Sequence, residues 1–440
     1  MTGSRAVRSS RAVRGLGCAV LVMLVAALAP RVLGVNVWAG TVPPLLADWR
    51  PRLGPGTAPA VVIAAMVVLG PVDRVRGLPW RRLLLVCYLA GVAWMCSLAL
   101  VDGTGGIADV FENKDEYLRT ARVTTDVGAT LHEYVARIPA GSAGQWPVHL
   151  AGHPPGALLF FVGLVRLGLG SGLAAGLVVV LIAATTPLAV AVTLRALGAE
   201  PQLRRVLPFL VFGPSAIWQA VSADAMFAAV VAWGIAFLAL AAVRRSLPRA
   251  LASGLVLGYC VLLSYGLPLV GVLALAVLLA ARTWRPVPAV VAGVLAVVGA
   301  FAVLGFTWWT ALPALHGRYW SGIASNRPSW YWVGGDIGAL LFCAGPLLGA
   351  GLASGVGELR GAITRPSRHV IGALVGAGVV MVALADASLM SKAEVERIWL
   401  PFVPWLLLSA AWLPRSWARP ALVAQVVFAL LLQHLLWSRW

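Results

Sequence analysis

The sequence predicts an all-α polytopic membrane protein with about 13 transmembrane helices, each built on a run of roughly 20 apolar residues. Three observations lead there. Of the 440 residues, 60% are hydrophobic and only 11% charged, whereas a soluble domain carries about 25% charged residues. Apolar runs of spanning length recur along the whole chain. Between them the arginines fall in short clusters, Arg5 to Arg14, Arg74 to Arg82, Arg244 to Arg249, Arg282 to Arg285, Arg360 to Arg368 and Arg415 to Arg419. That is the pattern of cytoplasmic loops. The net charge of +18 therefore reports membrane orientation. It does not report nucleic-acid binding, for which no basic soluble domain exists.

In chain order, the expected spans are 15–34, 57–72, 82–101, 205–222, 224–243, 249–265, 267–282, 286–307, 336–356, 369–388, 397–413 and 418–437. The first follows a basic stretch but is long and lacks a clear cleavage site, so it reads as an uncleaved span. The stretch 154–194 is apolar but interrupted at Gly168 to Gly172. Charge parity asks it to cross once, with a second piece re-entrant or lying on the surface. Residues 1–440 then form one integral membrane domain with no separate soluble domain. The same parity puts 102–153, Asp224, 308–335 and Lys392 to Arg397 on the outer side of a cytoplasmic (inner) membrane. All five cysteines lie in apolar segments without a C-x-x-C pair, and they read as small buried thiols. The scarcity of lysine, Lys114 and Lys392 alone, suggests a GC-rich bacterial genome.

The external loop 102–153 is the most polar part of the chain. It holds Asp102, Asp109, Glu112, Asp115, Glu116, Asp126 and Glu133, with His132, His149 and His153. Acids beside a bilayer are costly unless they face water or do chemistry. Asp115 or Glu116 could take a proton from a sugar hydroxyl or orient a phosphate through a metal. Equally, Asn113, Asp115 and Glu116 could cap a helix running through Tyr117. His149 and His153 are spaced to share a helix face and hold a metal. However, Pro154 and Pro155 disfavour a continuous helix there and suit the start of a span. Asp224 reads as a turn acid between two spans or as a site residue, and Asp386 as a span-end charge. Arg397 could fork onto a phosphate, pair with Glu394 or Glu396, or snorkel. The 308–335 loop mixes Arg318 and Arg327 with tryptophans and tyrosines, a surface that suits sugar rings or an interfacial belt.

Taken together, these patterns resemble the C-type (GT-C) polyprenyl-phosphate-sugar-dependent membrane glycosyltransferases. Asp115-Glu116 with Tyr117 looks like that family's catalytic acid motif in its first large external loop. Gly152-His153-Pro154-Pro155-Gly156 looks like its proline pair, Pro214 with Asp224 like its second acidic site, and Glu396-Arg397-Ile398-Trp399-Leu400-Pro401 like its late signature. Two extra spans precede the acidic loop, a departure from many members. The arrangement is similar to actinobacterial enzymes of cell-envelope polysaccharides and lipoglycans. The resemblance implies an inverting transferase moving mannose, arabinose or methylthioxylose from a polyprenyl-phosphate donor to an envelope glycan. Asp115 and Glu116 would be catalytic, and Tyr117, His153, Asp224, Arg327 and Arg397 would bind substrate. No cofactor is certain from the resemblance, and a divalent metal is left open. The alternative is a polytopic transporter or lipid flippase, for which broken helices and polar span ends are suited.

Overall fold

A backbone surrounded by lipid must satisfy its own hydrogen bonds, which favours helices. The computed structural model, which describes residues 2–438, is 74% helical. The side chains of Arg5 and Arg8, in the first arginine cluster, lie outside the described residues. Among the described residues the exception to an all-helical fold is a short antiparallel pair, Ala47–Trp49 with Leu436–Ser438, in which Ala47 faces Ser438. It ties the segment after the first helix to the C-terminal end.

Among the described residues, six helices are long and apolar enough to cross a membrane: Ser9–Leu33, Trp80–Asp102, Gly172–Ala196, Ala223–Arg244, Val370–Ala387 and Arg415–Leu435. The number rises to eight if two bent pairs each count as one span. This multi-pass, membrane-embedded character agrees with the composition, but the helices of spanning length are fewer than the roughly 13 expected from apolar runs of about 20 residues. Glycine and proline make much of the difference. The expected span 205–222 is Glu200–Phe212, a break at Gly213-Pro214, and the one-turn helix Ala216–Ala220. The expected span 286–307 ends at Val303 and turns by 73° into Trp308–Trp320. The expected span 397–413 is divided by Pro401 into Val395–Ile398 and Val403–Leu407. Proline lacks the donor that a continuous helix needs. Thr57–Leu69, Pro155–Arg166 and Leu247–Val261 are helices of 13, 12 and 15 residues, about 18–23 Å long at 1.5 Å per residue.

Small residues bring the helices close, as lipid-facing bundles require. A Cβ added to Gly254 would lie 2.3 Å from the Val290 carbonyl oxygen, and one added to Gly15 would lie 2.3 Å from that of Gly349. Gly345 has a second reason to be glycine. It sits at φ +83°, at the 98° bend between Ser329–Ala344 and Leu347–Ser354. A Cβ there would stand 1.9 Å from Gln425 Oε1. Gly345→Ala is therefore expected to cost about 1–3 kcal/mol and to lower the unfolding temperature of the purified protein. An unchanged midpoint would mean that the bend does not need its left-handed residue.

The segment 102–153 is not an open loop. It folds into Gly105–Glu112, Tyr117–Val123, Val127–Glu133 and Val148–Gly152. Three of its acids hold this cap together. Asp102 pairs with Arg52 and accepts from Gln433 Nε2 at 3.3 Å. Glu112 accepts from Arg122 at 2.5 and 2.8 Å and from the Gly172 backbone N–H at 2.9 Å. Asp126 caps Val127–Glu133 through the Ala129 N–H.

Candidate functional site

The chain break before Tyr117 sets the direction of the acidic pair. Asn113 Oδ1 accepts from the Asp115 N–H at 3.1 Å, an Asx turn. Glu116 occupies the N-cap position of Tyr117–Val123, yet its side chain makes no capping bond. Instead it turns inward, 5% exposed, and meets His149 Nδ1 at 2.7 Å. Asp115 stays half-buried, and its carboxylate makes no hydrogen bond or ion pair among the described residues. The simple capping reading thus does not describe Glu116, and the two neighbouring acids have different environments.

From His149 a buried chain of charges continues. His149 Nε2 is 3.2 Å from Arg397 Nη2. Arg397 donates to Asp224 Oδ2 at 2.6 Å and to Glu394 Oε2 at 2.8 Å. Arg327 follows, with Nη2 3.6 Å from Glu394 Oε1, Nη1 donating to the Lys392 carbonyl at 2.6 Å and Nε to the Trp38 carbonyl at 3.3 Å. Lys392 in turn donates from Nζ to the carbonyls of Ala324 and Arg327. Four stretches far apart in sequence thus meet at one cluster: the acidic segment, the start of Ala223–Arg244, the 308–335 segment and 392–397. Arg318 adds a clasp, donating to the carbonyls of Ile138 and Trp146 at 3.0 and 3.1 Å.

Charge balance explains why so many ions tolerate burial. Burial pushes the Glu116 carboxyl up, but His149 and Arg397 outweigh it and hold it below the usual carboxylate range. Glu394 likewise is raised by burial and brought below its ordinary value by Arg397, His149 and Arg327. On His149 burial lowers the pKa, Glu116 raises it by more, and Arg397 opposes the rise. Donor geometry decides the proton's place. Arginine offers only donors, so the contact to Arg397 requires the lone pair of Nε2. In the neutral ring the proton then sits on Nδ1, facing Glu116.

Glu396 differs from its neighbours. One oxygen accepts from the Leu46 N–H at 3.2 Å, and the other is buried with no partner among the described residues. Burial pushes its carboxyl up to about 7. An acid raised above its unfolded value binds its proton more tightly when folded. Its contribution to stability is present at low pH and is lost as pH rises from about 4.5 through about 7. Glu396→Gln is therefore expected to flatten the pH dependence of unfolding over that interval relative to wild type. Parallel curves would remove Glu396 as the titrating group.

Tyr117, His153 and Phe161 form the apolar wall beside this chain. Tyr117 stacks on Phe161 with centroids 5.3 Å apart and meets the His153 ring edge-on at 5.9 Å. His153 lies outside Val148–Gly152 in extended backbone, with Pro155 opening Pro155–Arg166. Its Nδ1 donates to the His149 carbonyl at 2.8 Å, so the two histidines do not present their nitrogens to a common ion. Among the described residues no cluster of three or more His, Cys, Asp or Glu is placed to hold a metal. Glu116, Asp224 and Glu394 are committed to His149 and Arg397. This donor set does not fit the divalent ion left open by the sequence.

Two expectations for arginine change. Arg397 is 5% exposed. It lies inside the protein, held by two carboxylates and His149. Arg327 is also buried and bound to backbone carbonyls. Two residues that the sequence did not place in this cluster join it. His149 links Glu116 to Arg397, and Asp336 accepts from the Ala393 N–H at 3.0 Å. Asp336 anchors a strained turn in which Ala393 and Glu394 both have left-handed φ, +69° and +66°. Such strain persists only where surrounding bonds hold it. His149 was visible only as half of a metal-spaced pair. Nothing in the sequence joined Asp336 to residue 393.

Comparisons with protein-family models, with curated proteins and with solved structures find no match for this chain.

Proposed function

We propose that this chain is an inverting glycosyltransferase of GT-C type. It would take a monosaccharide from a polyprenyl-phosphate donor and pass it to a cell-envelope polysaccharide or lipoglycan at the outer face of the cytoplasmic membrane. The observation that carries the reading is Asp115, an uncommitted, half-exposed carboxylate beside a buried ion chain that fixes its neighbour Glu116. In this reading Asp115 accepts the proton of the acceptor hydroxyl. The hydroxyl oxygen attacks the anomeric carbon opposite the phosphate. The bond from that carbon to the phosphate oxygen breaks, the phosphate leaves with the electron pair, and configuration inverts. Glu116, His149, Arg397 and Asp224 hold the turn in place. Lys114 and Arg119, both exposed and flanking Asp115 in sequence, are better disposed than Arg397 or Arg327 to meet the leaving phosphate. Tyr117 and His153 supply an apolar edge for the sugar. The short and bent helices would count among about 13 crossings if tilted or paired through the bilayer.

Membranes bearing the chain, given radiolabelled polyprenyl-phosphate sugars and an envelope acceptor, are expected to yield a labelled glycan. No transfer from any such donor would remove the reading. Orientation has its own test. Single cysteines at Ser142, Ser325 and Ser391, in a background without native cysteines, are expected to react with an impermeant maleimide in intact cells. Protection of any one until lysis breaks the common outer face.

A transporter or flippase is the second reading, favoured by one feature. The 98° break at Gly345-Pro346 follows a helix that carries the buried Asp336, and discontinuous helices with polar residues suit alternating access. Movement of a lipid-linked sugar across vesicles without any glycan product would favour it.

A further inference from the structure

A second feature lies along the Trp80–Ala99 helix, away from the polar cluster. Thr57–Leu69, Trp80–Ala99 and Glu200–Phe212 enclose an open cleft of about 250 Å³. Its walls are apolar, with Met66, Val86, Ala90 and Val211 among them, while Arg76 and Arg204 stand at one end. Asp102, at the other end of Trp80–Asp102, is about 30 Å away along the helix axis at 1.5 Å per residue. That separation is the thickness of the hydrocarbon core.

The basic end is not neutralised. Residues 70–85 and 195–205 hold Arg74, Arg76, Arg81, Arg82, Arg195, Arg204 and Arg205 against only Asp73 and Glu200. Arg204 is spent on Glu200 and on the carbonyls of Arg76 and Leu78. Arg76 is less committed. It pairs with Asp73 at 3.0 Å and reaches the Arg205 carbonyl at 3.4 Å, while its Nε is buried with no partner among the described residues. Arg74, Arg81 and Arg82 are exposed. Trp80 lies under the Arg195 guanidinium, 4.3 Å from its ring centroid, as an aromatic at a membrane boundary does.

We infer that this cleft binds an anionic phospholipid of the surrounding bilayer, its acyl chain between the three helices and its phosphate at the Arg76 end. Apolar walls suit the chain, and the guanidinium excess suits a phosphate without a compensating amine. The inference does not depend on the transferase reading, and its test measures no transfer.

The full-length protein, purified and presented with equal phosphatidylglycerol and phosphatidylcholine, is read by native mass spectrometry. Wild type is expected to retain one phosphatidylglycerol with a preference of about tenfold, a basic residue near the surface being sufficient for an effect of this order. Arg76→Gln should bring the preference close to unity, and Ala90→Trp should expel lipid of either kind by filling the cleft. Equal retention of the two lipids by wild type would overturn the inference. So would an undiminished preference in Arg76→Gln, which keeps the inference testable if Ala90→Trp fails to fold. Displacement of phosphatidylglycerol by an equal concentration of polyprenyl phosphate would also overturn it and make the cleft a carrier site.

Discussion

Asp115→Asn is expected to lower sugar transfer by about 10²–10⁴, the usual loss when a general base is removed. Insertion and thermal stability should be unchanged. The expectation follows from the contrast between the two acids of the pair. Among the described residues Asp115 offers its carboxylate to no protein partner, so an amide of the same shape breaks no bond there. Glu116 is hydrogen-bonded to His149 inside the protein, and Glu116→Gln should disturb the fold as well as turnover. The informative measurement is kcat against KM at fixed donor. A base acts in the transition state, so kcat and kcat/KM should fall together with KM little changed. Transfer within threefold of wild type would remove Asp115 from the chemistry. Glu116 would then be the next carboxylate to test, since one of its oxygens has no hydrogen-bond partner among the described residues.

The largest loss of stability is expected from Arg397→Ala. Both partners in the Asp224 pair are buried, with side-chain exposures of 6% and 3%, and Glu394 depends on the same guanidinium. Removing one partner of a buried pair leaves an uncompensated charge and costs about 3–5 kcal/mol. Here two carboxylates lose their main counter-ion at once. Arg397→Lys keeps the charge but not the fork that reaches Asp224, Glu394 and His149 together, so it should fall between wild type and alanine. Replacing Arg397 and Asp224 together by apolar residues of similar size should recover part of the loss. The measurement is the unfolding midpoint in detergent. If Arg397→Ala unfolds as wild type does while weakening donor binding alone, the guanidinium is a phosphate ligand after all and the ion chain is not structural.

Local chemistry made part of this protein legible from sequence. Hydrophobic content and arginine spacing reflect what a bilayer demands of each residue, so the multi-pass helical class needed no tertiary information. Pro154 disfavours helical geometry at His153 wherever the segment packs, and the extended His153 leading into Pro155–Arg166 agrees with it. The density of acids in 102–153 marked a polar cap because lipid tolerates such a density poorly.

What only the tertiary structure decided were partnerships across distance. Arg397 and Asp224 are 173 residues apart, Arg397 and His149 248, and Ala393 and Asp336 57. No local pattern states that Asp102 and Glu112 serve the scaffold while Asp115 stays uncommitted, because that depends on where Arg52, Arg122 and the Gly172 N–H come to lie. The spans behave in the same way. An apolar run of about 20 residues is long enough to cross, but packing and the bends at Gly213-Pro214, Gly345-Pro346 and Pro401 decide whether it stays one helix. A buried ion is affordable only where its counter-ion arrives by folding, so the fate of each charge here was a property of the assembled fold.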